Sequence, residues 1–396
     1  MIGAHGFDWN AGVSAARAGI AGCRPVTRFD VSTYRCKVGF EVPAEWDAYF
    51  EERTGVRGRE RRFGSRSAEF SMVAAGDAME MAGGAVLPRD TPVYGGVSSN
   101  SADNMEVMLR RFPELLTQRV RRLPPETVVQ TYFSLPATKA AEFCGLSGEA
   151  KVDSAACASV FHALQSGRRA ILSGDHPAAV VVGSDAPINH MTWQVFESAR
   201  MMTAADDIYT FDERSDRGTL GEGAAGFILE DEAAAEERGA NVLARIAAVK
   251  VGQEPPAQRG MPDWSGRTWA EVIGAAVSDE PDIDLIVAHS PADDRYEQME
   301  INALRAVFGE QLARIPITTQ SASHGQNGAC GSACKLALAV AMLQRQEIFP
   351  ITNLEQPAPY AVDLHLVGSL RKLPIQRVLV TGRGFGGAMA AVVVTV

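Results

Sequence analysis

Short apolar runs that alternate with stretches of helical periodicity constrain the fold of this chain more than any other feature. Ala178 to Gly183 and Asp284 to Ala288 are such runs, and their pattern is typical of strands covered on both faces. Helical periodicity follows over about 158–171 and again over 332–345, where a loop from Ile317 to Gly331 comes first. Strands that alternate with helices predict an α/β fold with covered sheets.

The alternation occurs twice along the chain, which predicts a duplicated layered structure. We place the first half at residues 1–235 and the second at 236–396. No low-complexity linker separates them, so we expect the two halves to form one closely packed unit.

Composition excludes several classes of protein. Of 396 residues, 46% are hydrophobic and the net charge is −10, which argues against disorder and against general nucleic-acid binding. No apolar stretch approaches the roughly 18 residues of a membrane span, and no secretory signal is seen. Six cysteines without a CxxC spacing indicate neither zinc nor a disulfide framework. We therefore expect a cytoplasmic protein that binds neither membrane nor metal.

Cys157 is the first candidate for chemistry. It lies in the segment Asp153-Ser-Ala-Ala-Cys-Ala-Ser, between a strand-like stretch and a helix. A helix N-terminus stabilises a thiolate and can hold the oxyanion of an attacked carbonyl. The alternative is a buried cysteine that serves only as a small hydrophobic residue.

Two of the seven histidines lie in positions suited to assist a thiol. His289 directly follows the apolar strand 284–288, where α/β folds present functional groups. His324 lies in a glycine-rich turn that opens a helix. For each, a structural role is the alternative, and the spacing alone does not show that they meet Cys157.

Several motifs, in order, resemble those of the elongating β-ketoacyl-ACP synthases. Cys157 in Ala-Ala-Cys-Ala-Ser resembles the nucleophile motif, and Phe211 to Gly226 resembles the family's Asp- and Gly-rich loop. His289 is followed eleven residues later by Glu300, as in the family, and His324 matches the second histidine. Gly384-Phe-Gly-Gly is similar to the C-terminal turn. The resemblance implies a thiolase-like duplicated α-β-α-β-α fold.

The resemblance also implies a role for each of these residues. Cys157 would accept an acyl group, with its N–H and that of Phe385 forming the oxyanion hole and Phe385 gating the acyl pocket. His289 and His324 would hold the thioester carbonyl of malonyl-ACP during decarboxylation, and Glu300 would support them. No resident cofactor is implied, because the phosphopantetheine arrives on the acyl carrier protein.

The resemblance also implies partners. Arg59 and Arg62 belong to an arginine-rich stretch that corresponds to the family's docking site for the acidic carrier protein, although a solvated, salt-bridged surface is the alternative. A homodimer, or a heterodimer with another ketosynthase-like subunit, is expected, with its interface near residues 132–137. The acyl group and its chain length stay open.

The chain departs from the family's pattern at four places. Ser290 and Asp293 replace residues of the Gly-Thr-Gly-Thr that follows the first histidine. Thr319 replaces the lysine five residues before the second histidine, and Cys334 replaces its glutamate partner after one inserted residue. The family's first strand has no counterpart before Met1, so either the start lies further upstream or this part of the core is rebuilt.

These departures cluster on the side of the site that would bind malonyl-ACP and its pantetheine, whereas Cys157 and Phe385 on the acyl-accepting side are present. Three hypotheses follow. The first is a β-ketoacyl-ACP synthase that performs decarboxylative Claisen condensation in a fatty-acid or polyketide pathway. The second is a related acyltransferase that transfers the acyl group without decarboxylation. The third is a non-catalytic partner that sets chain length in a ketosynthase heterodimer, against which the presence of Cys157 argues.

Overall fold

The computed structural model describes residues 1–84, 87–99, 102–111, 113, 124–255, 262–326 and 328–396. The elements of the first half are the helices and strands α1 (Trp9–Arg17), β1 (Arg24–Pro25), β2 (Val38–Gly39), α2 (Trp46–Thr54), α3 (Gly58–Arg61), α4 (Arg66–Met81), β3 (Val93–Gly96), α5 (Ala102–Arg111), α6 (Glu126–Val129), α7 (Leu135–Phe143), β4 (Ala150–Asp153), α8 (Ser159–Leu172), β5 (Ala178–Asp185), α9 (His190–Ser198) and β6 (Gly223–Glu230).

The second half repeats the alternation. Its elements are α10 (Glu232–Glu237), β7 (Arg245–Gln253), α11 (Arg267–Val277), β8 (Leu285–Val287), α12 (Asp294–Phe308), β9 (Ile317–Thr318), α13 (Ser321–His324), α14 (Gly328–Arg345), β10 (Glu347–Ile348), β11 (Arg371–Lys372), β12 (Arg377–Arg383) and β13 (Ala388–Thr395).

Two mixed sheets organise the molecule. The first has the strand order β4-β3-β5-β6, and the second has the order β7-β13-β12-β8-β9. In the first sheet β3 runs parallel to β4 and β5, whereas β6 is antiparallel to β5. At the outer edge of β6, Ile2 forms an isolated bridge with Ala224. The sheets therefore come from separate halves of the chain.

Helices fill the space between the sheets and cover their outer faces. α8 and α14 pack between the sheets, and one core cluster joins Phe161 of α8 and Leu338 of α14 to strands of both. α4 and α7 cover the first sheet, while α11 and α12 cover the second. The predicted α-β-α-β-α layering is confirmed, and it directs the starts of α8 and α14 toward one region.

One local expectation was wrong, and one strand was missed. Parts of the loop predicted over 317–331 form β9 and α13, and α14 already begins at Gly328. β3 was not predicted, because its sequence Val-Tyr-Gly-Gly carries little strand signal. Its glycine is required by packing: a Cβ on Gly96 would lie 2.5 Å from the backbone of Val160 in α8. Among the described residues, no helix is both long and apolar enough to cross a bilayer.

Candidate active site

Cys157 lies in a tight turn that connects β4 to α8. Ala156, which precedes it, has a φ of +50°, a left-handed conformation that costs free energy in a residue with a Cβ. The Ser159 hydroxyl accepts a hydrogen bond from the Ala155 N–H at 2.8 Å and donates to the Ala156 carbonyl. The turn thus presents the thiol just before the first residue of α8, as the sequence predicted.

A second helix N-terminus also reaches the thiol. The N–H of Gly328, the first residue of α14, donates to Cys157 Sγ at 3.3 Å. Cys157 is buried, and burial raises the pKa of its thiol to about 11, against the opposing effect of the Gly328 N–H. We expected a lowered pKa from the helix N-terminus. Loss of water around the thiolate outweighs that effect here.

His289 follows β8 and is buried. Its ring Nδ1 lies 2.8 Å from Gln326 Nε2, and the indole of Trp269 packs edge-on at 6.0 Å between ring centroids. Burial lowers the pKa of His289 well below its usual value, and Lys335 and Arg383 act in the same direction. The imidazole is therefore neutral at pH 7 and has one N–H to donate.

Glu300 fixes the backbone around this histidine. Its carboxylate accepts hydrogen bonds from the N–H groups of His289 at 2.8 Å and Ser290 at 2.9 Å, and from the Thr381 hydroxyl. Burial raises the pKa of Glu300, and these hydrogen bonds oppose that shift. The carboxylate therefore joins α12 and β12 to the loop that carries His289.

His324 ends α13, and its ring is buried against the N-terminal segment. The ring centroid lies 5.0 Å from that of His5, and a Cβ on Gly12 would lie 3.3 Å from Nε2. Neither ring nitrogen forms a hydrogen bond within the described part of the chain. Burial, followed by the charge of His5, lowers the pKa of His324 to about 3. The ring is thus a neutral imidazole with unused polar atoms.

The predicted residues do not all meet in direct contact. Within the residues that the structure describes, no hydrogen bond joins Cys157 to His289 or His324. The connection runs instead through α14, whose first N–H reaches Cys157 and whose Lys335 donates from Nζ to the His289 carbonyl oxygen.

Sequence reasoning missed Lys335. It treated the family's lysine as lost, because Thr319 stands in its place, yet a buried lysine amine enters the site from the residue after Cys334. A lysine between Cys334 and Leu336, inside an apolar helix, was the available signal.

The turn that carries Phe385 lies beside the nucleophile turn. A Cβ on Gly384 would lie 2.2 Å from the Ala155 carbonyl oxygen, so only glycine allows this approach. Phe385 is 42% exposed, and its ring stands edge-on to those of Phe196 and Tyr296 at 6.4 and 5.8 Å. The side chain is therefore partly exposed and packs against two aromatic rings.

The arginine-rich stretch divides into two groups. Arg61 donates to Glu69 at 2.6 Å and Arg66 donates to Glu222 at 2.7 Å, so these two arginines form ion pairs within the fold. Arg59 and Arg62 are exposed on α3 and at its end.

Two of the residues after His289 that differ from the family's Gly-Thr-Gly-Thr, Ser290 and Asp293, form structural contacts. The Asp293 carboxylate caps α12 by accepting from the N–H of Arg295 at 3.1 Å, and it lies 3.6 Å from Arg217. The Ser290 hydroxyl donates to Glu297 at 2.6 Å. Both replacements therefore stabilise the loop after His289.

Comparison with known proteins agrees with this arrangement. Residues 11–235 match the family described as "Beta-ketoacyl synthase, N-terminal domain", and residues 243–355 match its C-terminal domain. The oxytetracycline polyketide putative β-ketoacyl synthase 1 of Streptomyces rimosus is 29% identical, over 96% of this chain and 91% of its own. The actinorhodin polyketide putative β-ketoacyl synthase 1 of Streptomyces coelicolor is 30% identical, over 95% of this chain and 82% of its own.

A solved structure gives the same result for the fold. The ishigamide ketosynthase/chain length factor superposes with a TM-score of 0.88 at 23% identity, covering 100% of this chain and 96% of that chain. The predicted family and the predicted fold are both confirmed. This chain belongs to the β-ketoacyl synthase family of acyltransferases.

Proposed function

We propose that this β-ketoacyl synthase condenses an acyl group bound to Cys157 with malonyl-ACP, with loss of carbon dioxide, in a polyketide pathway. The observation that carries the proposal is the placement of the Cys157 thiol before two helix N-termini, α8 and α14, beside the Phe385 turn. The two relatives named above are polyketide enzymes, which supports the pathway.

In the first half-reaction Cys157 attacks the thioester carbonyl of an acyl carrier protein. The C–S bond to Sγ forms, the bond to the pantetheine sulfur breaks, and the carrier leaves with the thiol proton. The N–H groups of Cys157 and Phe385 receive the developing oxyanion, because a negative oxygen is best stabilised by fixed donors in a dry site. The contact of Gly384 with Ala155 supports this pairing of the two turns.

In the second half-reaction malonyl-ACP loses carbon dioxide. The electron pair of the broken C–C bond enters the thioester as an enolate, whose carbon attacks the acyl group on Cys157 and releases the thiolate. His289 and His324 donate hydrogen bonds to the enolate oxygen. The lowered pKa of both rings supports this role, since each is neutral and keeps an N–H.

Partners and location complete the proposal. Arg59 and Arg62 dock the acidic carrier protein, which brings the pantetheine, so no resident cofactor is needed. The protein forms a homodimer or a ketosynthase heterodimer through a surface that includes Tyr132 and Phe133, which are 56% and 49% exposed. Six free cysteines support a reducing, cytoplasmic location.

Mass measurement followed by carbon dioxide detection tests the function. The purified protein is incubated with a panel of acyl-ACPs, weighed intact, and then given malonyl-ACP. We expect an adduct on Cys157 and carbon dioxide release, both lost in Cys157→Ala and the release lost in His324→Ala, while Cys144→Ala behaves as wild type.

Two other results contradict the proposal. An adduct that persists without carbon dioxide release, until an alcohol or amine is added, identifies an acyltransferase without decarboxylation. No adduct, together with co-purification of a second synthase, identifies a non-catalytic partner subunit.

A further inference from the structure

One charged side chain buried in the site has no role in the reaction just described. Lys335 on α14 is 1% exposed, and its Nζ donates to the carbonyl oxygen of His289. Removing an ammonium group from water is costly unless it is paired and hydrogen-bonded. A lysine at this position therefore requires a compensating environment, and that environment is the site itself.

Lys335 lies on the same face of α14 as Gly328, the first residue of that helix. Gly328 and Lys335 are seven residues apart, which places them on one face of the helix. The Gly328 N–H reaches Cys157 Sγ at 3.3 Å, and Lys335 reaches the main chain of His289 two turns later. One face of α14 thus contacts both the nucleophile and the loop of the first histidine.

Charged groups from several elements surround the ammonium. Burial lowers the pKa of Lys335 to about 7, while Glu300 and Glu297 of α12 and the Cys157 thiolate raise it. Glu300 accepts from the N–H of His289, and Lys335 donates to the carbonyl of the same residue. The His289 backbone is therefore held between a carboxylate on one side and an amine on the other.

The thiol experiences charges of both signs. After burial and the Gly328 N–H, the next effects on the pKa of Cys157 are Asp185 at the end of β5, which raises it, and Lys335, which lowers it. Cys330 of α14 also faces this region, and burial raises the pKa of its thiol, so it stays neutral. Lys335 therefore opposes both the burial of Cys157 and the charge of Asp185.

We propose that Lys335 is a positioning residue that places a positive charge opposite the Cys157 thiol and anchors this charge on the His289 carbonyl. The proposal rests on the proposed role of Cys157 as the nucleophile. In its ammonium form Lys335 stabilises the thiolate by electrostatic attraction across a buried, weakly screened space. No bond is formed or broken by Lys335 itself.

The pH dependence of Cys157 alkylation tests this inference without carrier protein or substrate. Wild type and Lys335→Met are treated with iodoacetamide between pH 6 and 10, and the modified peptide that carries Cys157 is quantified by mass spectrometry. Because the pKa of Lys335 is about 7, we expect the Lys335→Met rate to fall about tenfold at pH 6, as for one pKa unit, and by less above pH 8, where wild-type Lys335 has lost its proton. Lys250→Met, which removes an exposed lysine, serves as the matched control.

A second variant tests the same inference in case Lys335→Met alone does not fold. Glu300→Gln combined with Lys335→Met removes both charges, so no buried ion loses its partner, and its alkylation curve should shift in the same direction. An unchanged curve in a folded variant overturns the inference, as does an equal shift in Lys250→Met or failure of both Lys335 variants to fold. A shift in a protein that releases no carbon dioxide supports Lys335 and contradicts the proposed function.

Discussion

Glu300 holds the conformation of the loop that follows β8 and carries His289. It accepts from two consecutive peptide N–H groups, and it is a charge partner of buried Lys335. We expect Glu300→Ala to lower the free energy of unfolding by about 3–5 kcal/mol, the usual cost of leaving a buried charge uncompensated. Urea unfolding measures this, with Glu310→Ala on the surface expected to change it by less than about 0.5 kcal/mol. Equal losses in the two variants contradict the prediction.

Glu297 gives the protein a defined pH dependence. Burial raises the pKa of Glu297 to about 7 from 4.5. The folded protein therefore keeps this proton after the unfolded chain has released it, so stability falls as the pH rises from 4.5 to 7. The loss amounts to at most about 3 kcal/mol.

Glu297→Gln should remove this contribution, because the amide does not titrate. The free energy of unfolding is measured at pH 5 and pH 7.5 for both proteins. We expect the wild type to lose more stability than Glu297→Gln over this interval. Parallel changes in the two proteins would show that Glu297 titrates near its ordinary pKa.

At this scale the sequence predicted residues whose signal is local. Cys157 and His289 follow from a turn and a strand end, and Glu300 follows from the family resemblance, and the structure places each in a buried region around α8, α12 and α14. The sequence did not predict the direction of the Cys157 pKa shift, because the thiol is buried and is contacted by Gly328 of α14, which lies 171 residues further along the chain. Lys335 was missed because its role depends on a contact across 46 residues.

At the scale of elements, the β12–β13 turn and the β4–α8 turn are in close contact. We expect Gly384→Ala to slow acylation of Cys157 on the order of 100-fold, the cost of misplacing a reacting group by about 1 Å. The physical reason is a Cβ that would lie 2.2 Å from the Ala155 carbonyl oxygen and would push the Phe385 turn away.

Intact-mass kinetics with an acyl-ACP measures this effect. Gly368→Ala is the matched control, because the nearest atom to its added Cβ is 3.9 Å away on Leu354. Circular dichroism should show both variants folded. Acylation at the wild-type rate in Gly384→Ala would mean that the two turns act independently.

Elements with their own periodicity were predicted well, and elements formed by tertiary contact were not. The strand around Ala178 and the helix after Cys157 were predicted to within two residues. α14 was predicted to begin at 332 rather than Gly328, because Gly-Ala-Cys-Gly has low helix propensity. Its first turn is stabilised instead by the Asp185 carboxylate, which accepts from the Ala329 N–H.

At the scale of the whole molecule, carrier recognition should depend on salt. Arg59 and Arg62 are exposed, and reversing their charge replaces attraction of an acidic partner by repulsion. We expect Arg59→Glu with Arg62→Glu to raise the KM for acyl-ACP roughly tenfold at low ionic strength, and less at high salt. Arg345→Glu, at the exposed end of α14, is the control. A similar KM in both variants places the docking surface elsewhere.

Assembly should depend on the apolar surface formed by α6 and the residues just after it. Val128, Tyr132 and Phe133 are each about half exposed, and α7 begins two residues after the last of them. Burying a phenylalanine in an interface contributes about 1.5–3 kcal/mol, so Phe133→Lys should weaken association roughly ten- to hundredfold. Sedimentation velocity over a concentration series measures the dissociation constant. Val362→Lys, at a more exposed apolar position in the second half, should leave it unchanged. If both substitutions dissociate the protein equally, or neither does, the subunit contact does not involve this surface.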